Sequence, residues 1–150
     1  MAYDAHRNLV WVSHLATLSL FSYGAVVADV SIAAFGGRIP LLGAADGAIW
    51  LGTRGNGVFR IGKRPLLHLS RDNGLLSNIC TALLLHPNGD LLIGSNSGLT
   101  RVSMDGSHPT RFEYLSRHNG LPDDRVLYVT SVDDVLYVAT AAGIVEWSDR

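Results

Sequence analysis

The sequence holds one cysteine, Cys80, one lysine, Lys63, and five prolines in 150 residues. A lone thiol closes no disulfide framework and builds no cysteine-based metal site. Twelve basic residues against thirteen acidic ones leave a net charge of −1. Such a chain has no field to attract nucleic acid or an anionic membrane, so neither is expected as a partner. The arginines are scattered, which predicts solvated faces and strand edges. A long hydrophobic run is also missing. Ser13, His14, Thr17, Ser19 and Ser22 interrupt the apolar stretch from Leu9 to Ala28. Val26, Val27 and Ala28 resemble a leader's small-residue exit, but Asp4 stands where a secretory leader would be basic. The stretch therefore reads as strands, not as a leader or a membrane span. The length suits one domain, and 47% hydrophobic content is ample for a core.

What is present is repetition. The stretch from Ile49 to Ile61, IWLGTRGNGVFRI, returns as LLIGSNSGLTRV (Leu91 to Val102) and LYVATAAGIVEW (Leu136 to Trp147). A degenerate copy, VWVSHLATLSLF, runs from Val10 to Phe21. Aligned positions hold a large residue (Trp11, Trp50, Leu92, Tyr137). Two residues on stands a small one (Ser13, Gly52, Gly94, Ala139), then Thr53, Ser95 or Thr140, with His14 the outlier. A glycine follows at Gly57, Gly98 and Gly143, replaced by Thr17 in the first copy. A period of about 40 to 45 residues built from short strands is that of propeller blades.

Each copy has the same flanks. Asp46-Gly47 and Asn88-Gly89, with the weaker Asp133-Asp134 and Arg7-Asn8, predict two-residue hairpins before the first strand of the motif. Apolar runs precede these turns (Ile39 to Leu42, Ile79 to Leu85, Val126 to Val132), and a further segment follows the motif (Val26 to Phe35, Pro65 to Leu69, Thr110 to Leu115). The unit is thus a four-stranded antiparallel meander. Ile49-Trp50-Leu51, Leu91-Leu92-Ile93 and Leu136-Tyr137-Val138 are apolar on both faces, unlike a sheet with one wet side. That favours radially stacked blades over a two-sheet sandwich. Between units, Arg71-Asp72-Asn73-Gly74-Leu75 and Arg117-His118-Asn119-Gly120-Leu121 predict a crossing in which glycine turns the chain, asparagine bonds backbone and leucine enters the core.

The fold class expected is all-β, a β-propeller segment of about four four-stranded antiparallel blades, over residues 4–35, 36–70, 71–116 and 117–150. The first unit is expected to lack its innermost strand and the last its outermost. Roughly 40 residues per blade would need about 300 for a seven-bladed ring. The expectation is therefore a partial propeller: a fragment, or a chain that completes its ring by association.

The order NGLLSN-ICTALLLHPNGDLLIGSNSGLTRV resembles the repeat of the two-component regulator propeller family. Asn73-Gly74-Leu75, Asn88-Gly89, Ile93-Gly94-Ser95, Gly98-Leu99 and Arg101 carry the resemblance in the third unit, and Trp50-Leu51-Gly52-Thr53, Gly57 and Arg60 in the second. Asn119-Gly120-Leu121-Pro122 carries it in the fourth, where Ala139 and Glu146 depart. The resemblance spans residues 38 to 147 well. It implies a periplasmic or extracellular sensor ectodomain of a hybrid histidine kinase, built as a seven-bladed propeller and responsive to oligosaccharides.

No catalytic set is expected. Asp123-Asp124 and Asp133-Asp134 bracket one strand of about eight residues, which at ~3.3 Å each holds them more than ~20 Å apart. Glycoside hydrolysis needs its carboxyls within ~10 Å. Glu113 and Glu146 are expected to be solvated. The histidines, His6, His14, His68, His86, His108 and His118, show no ligand spacing, and neither metal nor cofactor is expected. Crossing loops and middle-strand turns share one rim, which places Arg54, Asn56, Arg71, Asp72, Asn78, Asn96, Arg117, His118, Asp124 and Arg125 there as candidate ligand-binding residues. Arginines, amides and an acid suit sugar hydroxyls or uronate carboxylates. The expected partners are an oligosaccharide or other small ligand, and further blades. The alternatives are a propeller-fold lyase or hydrolase with its acids in other blades, and a pure interaction scaffold.

Overall fold

The computed structural model describes residues 1–4, 8–14, 17–22, 25–35, 41–45, 48–62, 66–106 and 108–148. Four antiparallel sheets follow one another along the chain. The first holds β1 (Ala2–Asp4), β2 (Leu9–His14), β3 (Thr17–Ser22) and β4 (Ala25–Ser31), and the second β5 (Leu41–Ala45), β6 (Ala48–Gly52), β7 (Val58–Ile61) and β8 (Leu67–Leu69). The third contains β9 (Ala82–Leu85), β10 (Leu91–Ser95), β11 (Gly98–Asp105) and β12 (His108–Leu115). The fourth has three strands, β13 (Val126–Val132), β14 (Val135–Thr140) and β15 (Gly143–Trp147). Strands pair in sequence order, and β1, β5, β9 and β13 pack in succession. The sheets are blades fanned around an axis lined by their first strands.

The first unit corrects the sequence expectation. Its innermost strand exists, as β1, with Ala2 opposite Trp11 and Asp4 opposite Leu9. At three residues it is too short to show a hydrophobic pattern. The fourth unit is three-stranded among the described residues, as expected.

The core sits between blades, and all three joints have the same polarity. The first buries Leu18, with Trp11 beside it, against Ile49, Leu51 and Phe59. The second sets Trp50 and Val58 against Leu91, Ile93 and Val102, and the third sets Leu92 and Leu99 against Val126, Val129, Leu136 and Val138. The repeated large residue thus always points at the following blade. Gly94, two positions beyond Leu92, makes room for a side chain of the following blade. A Cβ on Gly94 would meet Val126 Cγ1 at 2.6 Å and Ala82 Cβ at 2.8 Å.

Two arginines depart from the expected solvated placement. Arg60 and Arg101 are buried, opposite Trp50 and Leu92 in register. Arg101 Nε and Nη2 both reach Asp90 Oδ2, at 2.6 and 2.5 Å, and its guanidinium lies 5.6 Å from the Trp147 ring centre. Glu113 is half-buried beside this arginine and pairs with Arg111 at 2.6 Å, so it is not the freely solvated acid the sequence suggests. Arg60 stacks on Trp50 at 5.9 Å, while Ala48 and Leu67 occupy the positions of Asp90 and Glu113. Its buried Nη1 has no hydrogen-bond partner among the described residues.

The turns separate into types. Val132 pairs with Val135, and Asp133 and Asp134 have φ of 49° and 64°. Two left-handed residues make the two-residue hairpin that the twist of paired strands prefers. The Asn88-Gly89 turn is different. His86 N–H bonds Asp90 O and Gly89 N–H bonds His86 O, with only Gly89 left-handed. This is a three-residue loop started by Pro87, not the expected two-residue one. Asp46-Gly47 lies outside the described residues, and at the first turn Asn8 alone is described, with φ of 52°.

Candidate functional site

The rim is built by one hydrogen-bond scheme, used repeatedly. After the outermost strands, Ser70 N–H donates to Asn73 Oδ1 (2.7 Å) and Ser116 N–H to Asn119 Oδ1 (2.7 Å). The same asparagines donate from Nδ2 to His68 O and Tyr114 O, at 2.7 and 2.8 Å. Leu75 and Leu121 N–H then bond Ser70 and Ser116 O, which carries each leucine into the core. Gly74 (φ 131°) and Gly120 (φ 137°) make the reversal possible.

The middle-strand turns carry a second device. Thr53, Ser95 and Thr140 donate their hydroxyls to Gly57, Gly98 and Gly143 O, at 2.7, 2.9 and 2.8 Å. Each hydroxyl also accepts a turn N–H, from Asn56, Ser97 or Ala142. That explains why a small hydroxyl residue follows the small residue in three copies.

The two kinds of loop meet, as the strand order requires. Gly55 and Gly57 N–H both donate to Asn78 O, Cys80 N–H donates to Thr53 O, and Ala141 N–H to Arg125 O. One rim therefore holds all ten candidates, but it distributes them. Arg71 and Asp72 lie in a short 3-10 turn, Arg71–Asn73, at the outer end of one crossing, and Arg117 and His118 stand at the same place in the next. All four are exposed. Asn78 and Asp124 are half-buried and accept the Arg71 and Arg117 N–H groups (2.8 and 2.7 Å), which gives each a structural task. Asn56 donates to Phe35 O at 3.3 Å, and Arg125 N–H to Asp123 Oδ1 at 2.8 Å.

Arg54 and Asn96 are brought together. With Ile79, Cys80, Thr81 and Leu127 they line an open cleft of about 450 Å³ where the first strands of the third and fourth blades begin. This size falls within the range of small-ligand sites. Neither side chain bonds a described residue, and both are exposed at the cleft. Ile79 and Leu127 expose 43% and 52% of their surface and give the cleft an apolar wall. Thr81 Oγ1 is committed, donating to Val126 O at 2.6 Å across the joint. Cys80 is buried, and loss of solvation raises its pKa to about 12 despite a bond to Ala82 O. Its thiol is protonated at neutral pH. Sequence reasoning missed Ile79 and Leu127, because an apolar residue in an apolar strand gives no sign that it opens on a cleft.

Among the described residues the two aspartate pairs stand apart. Asp123-Asp124 and Asp133-Asp134 flank β13 at its opposite ends, as spacing predicts. Among the described residues no helix is long and apolar enough to cross a membrane.

No protein-family model matches the sequence, and no curated protein matches it. Solved structures do match. The extracellular domain of the hybrid two component system BT3049 from B. thetaiotaomicron superimposes with a TM-score of 0.73 over 97% of this chain, at 16% identity. That of the one component system BT4673 from the same organism gives 0.68 over 96%, at 18% identity. The WD40 β-propeller domain of Doa1 gives 0.70 over 95%, at 15% identity. The chain spans 21% and 20% of the two sensor domains and 47% of the Doa1 domain. Its fold is therefore that of consecutive β-propeller blades, the fold of these two-component and one-component system ectodomains.

Proposed function

We propose that this chain is a non-catalytic binding segment of a sensor ectodomain, placed outside the cytoplasm. Its ligand would be an oligosaccharide or a similar small polyol, carrying hydroxyls or a carboxylate. The observation that carries the reading is the cleft between the second, third and fourth blades, where Arg54 and Asn96 present hydrogen-bonding heads that bond no described residue, beside the apolar Ile79 and Leu127. A guanidinium and an amide over an apolar wall suit a ring with polar edges and a hydrophobic face. The protonated Cys80 and the separated aspartate pairs support binding without turnover. The likeness to sensor ectodomains supports the same reading at the level of architecture.

The test is a panel of neutral and uronate-containing oligosaccharides, followed by calorimetry and by chromatography of the recovered sugar. Binding without cleavage is expected, and Arg54→Ala or Asn96→Ala should each weaken it about tenfold, the loss of one hydrogen bond to a polar or charged group. Shortened sugars after incubation overturn the non-catalytic part. Failure of every sugar to bind, or binding indifferent to both variants, overturns the site.

A further inference from the structure

The turn that carries Arg54 is held without the arginine side chain. Thr53 Oγ1 donates to Gly57 O and accepts the Asn56 N–H, while the Gly55 and Gly57 N–H groups bond Asn78 O. The Arg54 backbone forms an isolated bridge to Ile79, which fixes its place against the third blade. Asn96 and Ala141 follow Ser95 and Thr140 in turns closed by the same hydroxyl bonds. One position of the repeat thus carries a guanidinium, an amide and a methyl on one framework. A side chain there can change without disturbing the turn, as befits a loop position that sets preference on a rigid scaffold.

The cleft also has a definite chemical balance. Thr81 Oγ1 and Cys80 Sγ already donate to Val126 O and Ala82 O. That leaves the Arg54 guanidinium and the Asn96 amide as donors, and none of the described lining residues carries a carboxylate. The acids of the next crossing are occupied by backbone, Asp123 by the Arg125 N–H and Asp124 by the Arg117 N–H. Among the described residues no acid pairs with Arg54. The result is a surplus of donors and one uncompensated positive charge beside the apolar Ile79 and Leu127, where a charge pair is stronger than in open water.

We infer that Arg54 makes this cleft selective for a carboxylate: the ligand is an acidic sugar, its carboxylate held by the guanidinium and a neighbouring hydroxyl by Asn96. This selectivity rests on the cleft being a ligand site, as proposed above, and goes further, since such a site would by itself admit neutral sugars. The parallel N–H groups of a guanidinium match the two oxygens of a carboxylate, and such charge-assisted bonds are roughly twice as strong as neutral ones. An ester or an alcohol in the same place offers no charge. The position after the turn hydroxyl is then where a blade of this repeat sets its ligand preference.

The experiment is calorimetry with a panel of uronate disaccharides, each paired with its methyl ester, which keeps the ring and linkage and removes the charge. The acid of a binding pair should bind about tenfold more tightly than its ester, the worth of one hydrogen bond to a charged group. Added salt should weaken the acid and leave the ester level. Arg54→Gln should bring the acid down to the level of the ester and leave the ester unchanged. Asn96→Asp, which sets a negative charge beside the same ligand, should weaken the acid more than the ester. Both positions are exposed, and circular dichroism checks that each variant stays folded. Equal binding of acid and ester by the native chain, or binding of neutral sugars alone, overturns the selectivity while leaving the cleft a ligand site. A preference for the acid that survives Arg54→Gln places the discrimination elsewhere and overturns it too. If no sugar of either kind binds, the ligand site itself falls, and the selectivity with it.

Discussion

Replacing Gly94 by alanine adds a single methyl in the joint between the third and fourth blades. Gly94 lies inside β10 with ordinary extended backbone, so alanine is free to adopt its conformation. Stiffening the unfolded chain would by itself stabilise the protein by about 0.4–1 kcal/mol. The new Cβ, however, would stand 2.6 Å from Val126 Cγ1, 2.8 Å from Ala82 Cβ and 3.2 Å from Val126 Cβ. Carbon atoms in good contact stand about 3.5–4.0 Å apart, so the fourth blade must shift outward or Val126 must leave its rotamer. Overpacking of this kind costs typically ~1–3 kcal/mol. The net expectation is a loss of about 1–2 kcal/mol, at roughly 2–4 °C of Tm per kcal/mol for a chain of this size. Val126→Ala alone should cost about 1–3 kcal/mol, for the lost burial and the cavity left behind. In the double variant the smaller side chain accommodates the methyl. Thermal and urea unfolding of the four proteins should then give a favourable coupling of at least ~1 kcal/mol. If Gly94→Ala is as stable as the native chain, or if the two costs simply add, the glycine is not there to admit the next blade.

Three further outcomes follow from the same structure. Arg60→Met should be neutral or stabilising, since it removes a buried guanidinium whose Nη1 has no partner among the described residues, whereas Arg101→Met should cost about 3 kcal/mol by stranding Asp90; urea unfolding compares the two, and equal losses refute the distinction. The Cys80 thiol is protonated in the folded state up to about pH 12, against 9.0 for the free group, so the folded state holds the extra proton between those values. Its contribution to stability is complete below pH 9.0 and falls by about 1.4 kcal/mol per unit as pH rises towards 12; unfolding at pH 8 and pH 10.5 should show this fall in the native chain, reduced in Cys80→Ala. Asn119→Ala removes one acceptor and one donor that bind the backbone of Ser116 and Tyr114, and should cost about 1–3 kcal/mol with faster amide exchange confined to that crossing; exchange that rises uniformly counts against a local role.

The architecture was legible because it is written four times. Apolar residues on both faces of Ile49-Trp50-Leu51 and Leu91-Leu92-Ile93 require cover on both sides, and the recurring glycine and hydroxyl mark the turns. Asn73 and Asn119 could be read as crossing residues because the same Arg-x-Asn-Gly-Leu recurs between units, after one outermost strand and before the next innermost one. β1 could not be read, since Ala2–Asp4 is too short to carry a pattern and its place is set by its register with β2 and its packing against β5. The rim was legible as a set of loops, but its division was not. Asn78 and Asp124 look identical to free polar residues until the Arg71 and Arg117 N–H groups are seen to occupy them.

The sequence by itself determined the unit, its period and the demand for stacking, because these rest on local periodicity and turn chemistry. Tertiary structure decided everything that depends on what lies across a joint. Arg101 and Arg60 come from equivalent positions of the repeat, yet Arg101 meets the Trp147 ring of the next blade while Arg60 stacks on Trp50 of its own. The cleft was settled at the same level, since Arg54, Asn96 and Leu127 belong to three different blades. A side chain's neighbours along the chain fix its strand and face, while the blade beyond fixes whether that face meets solvent, a partner or empty space.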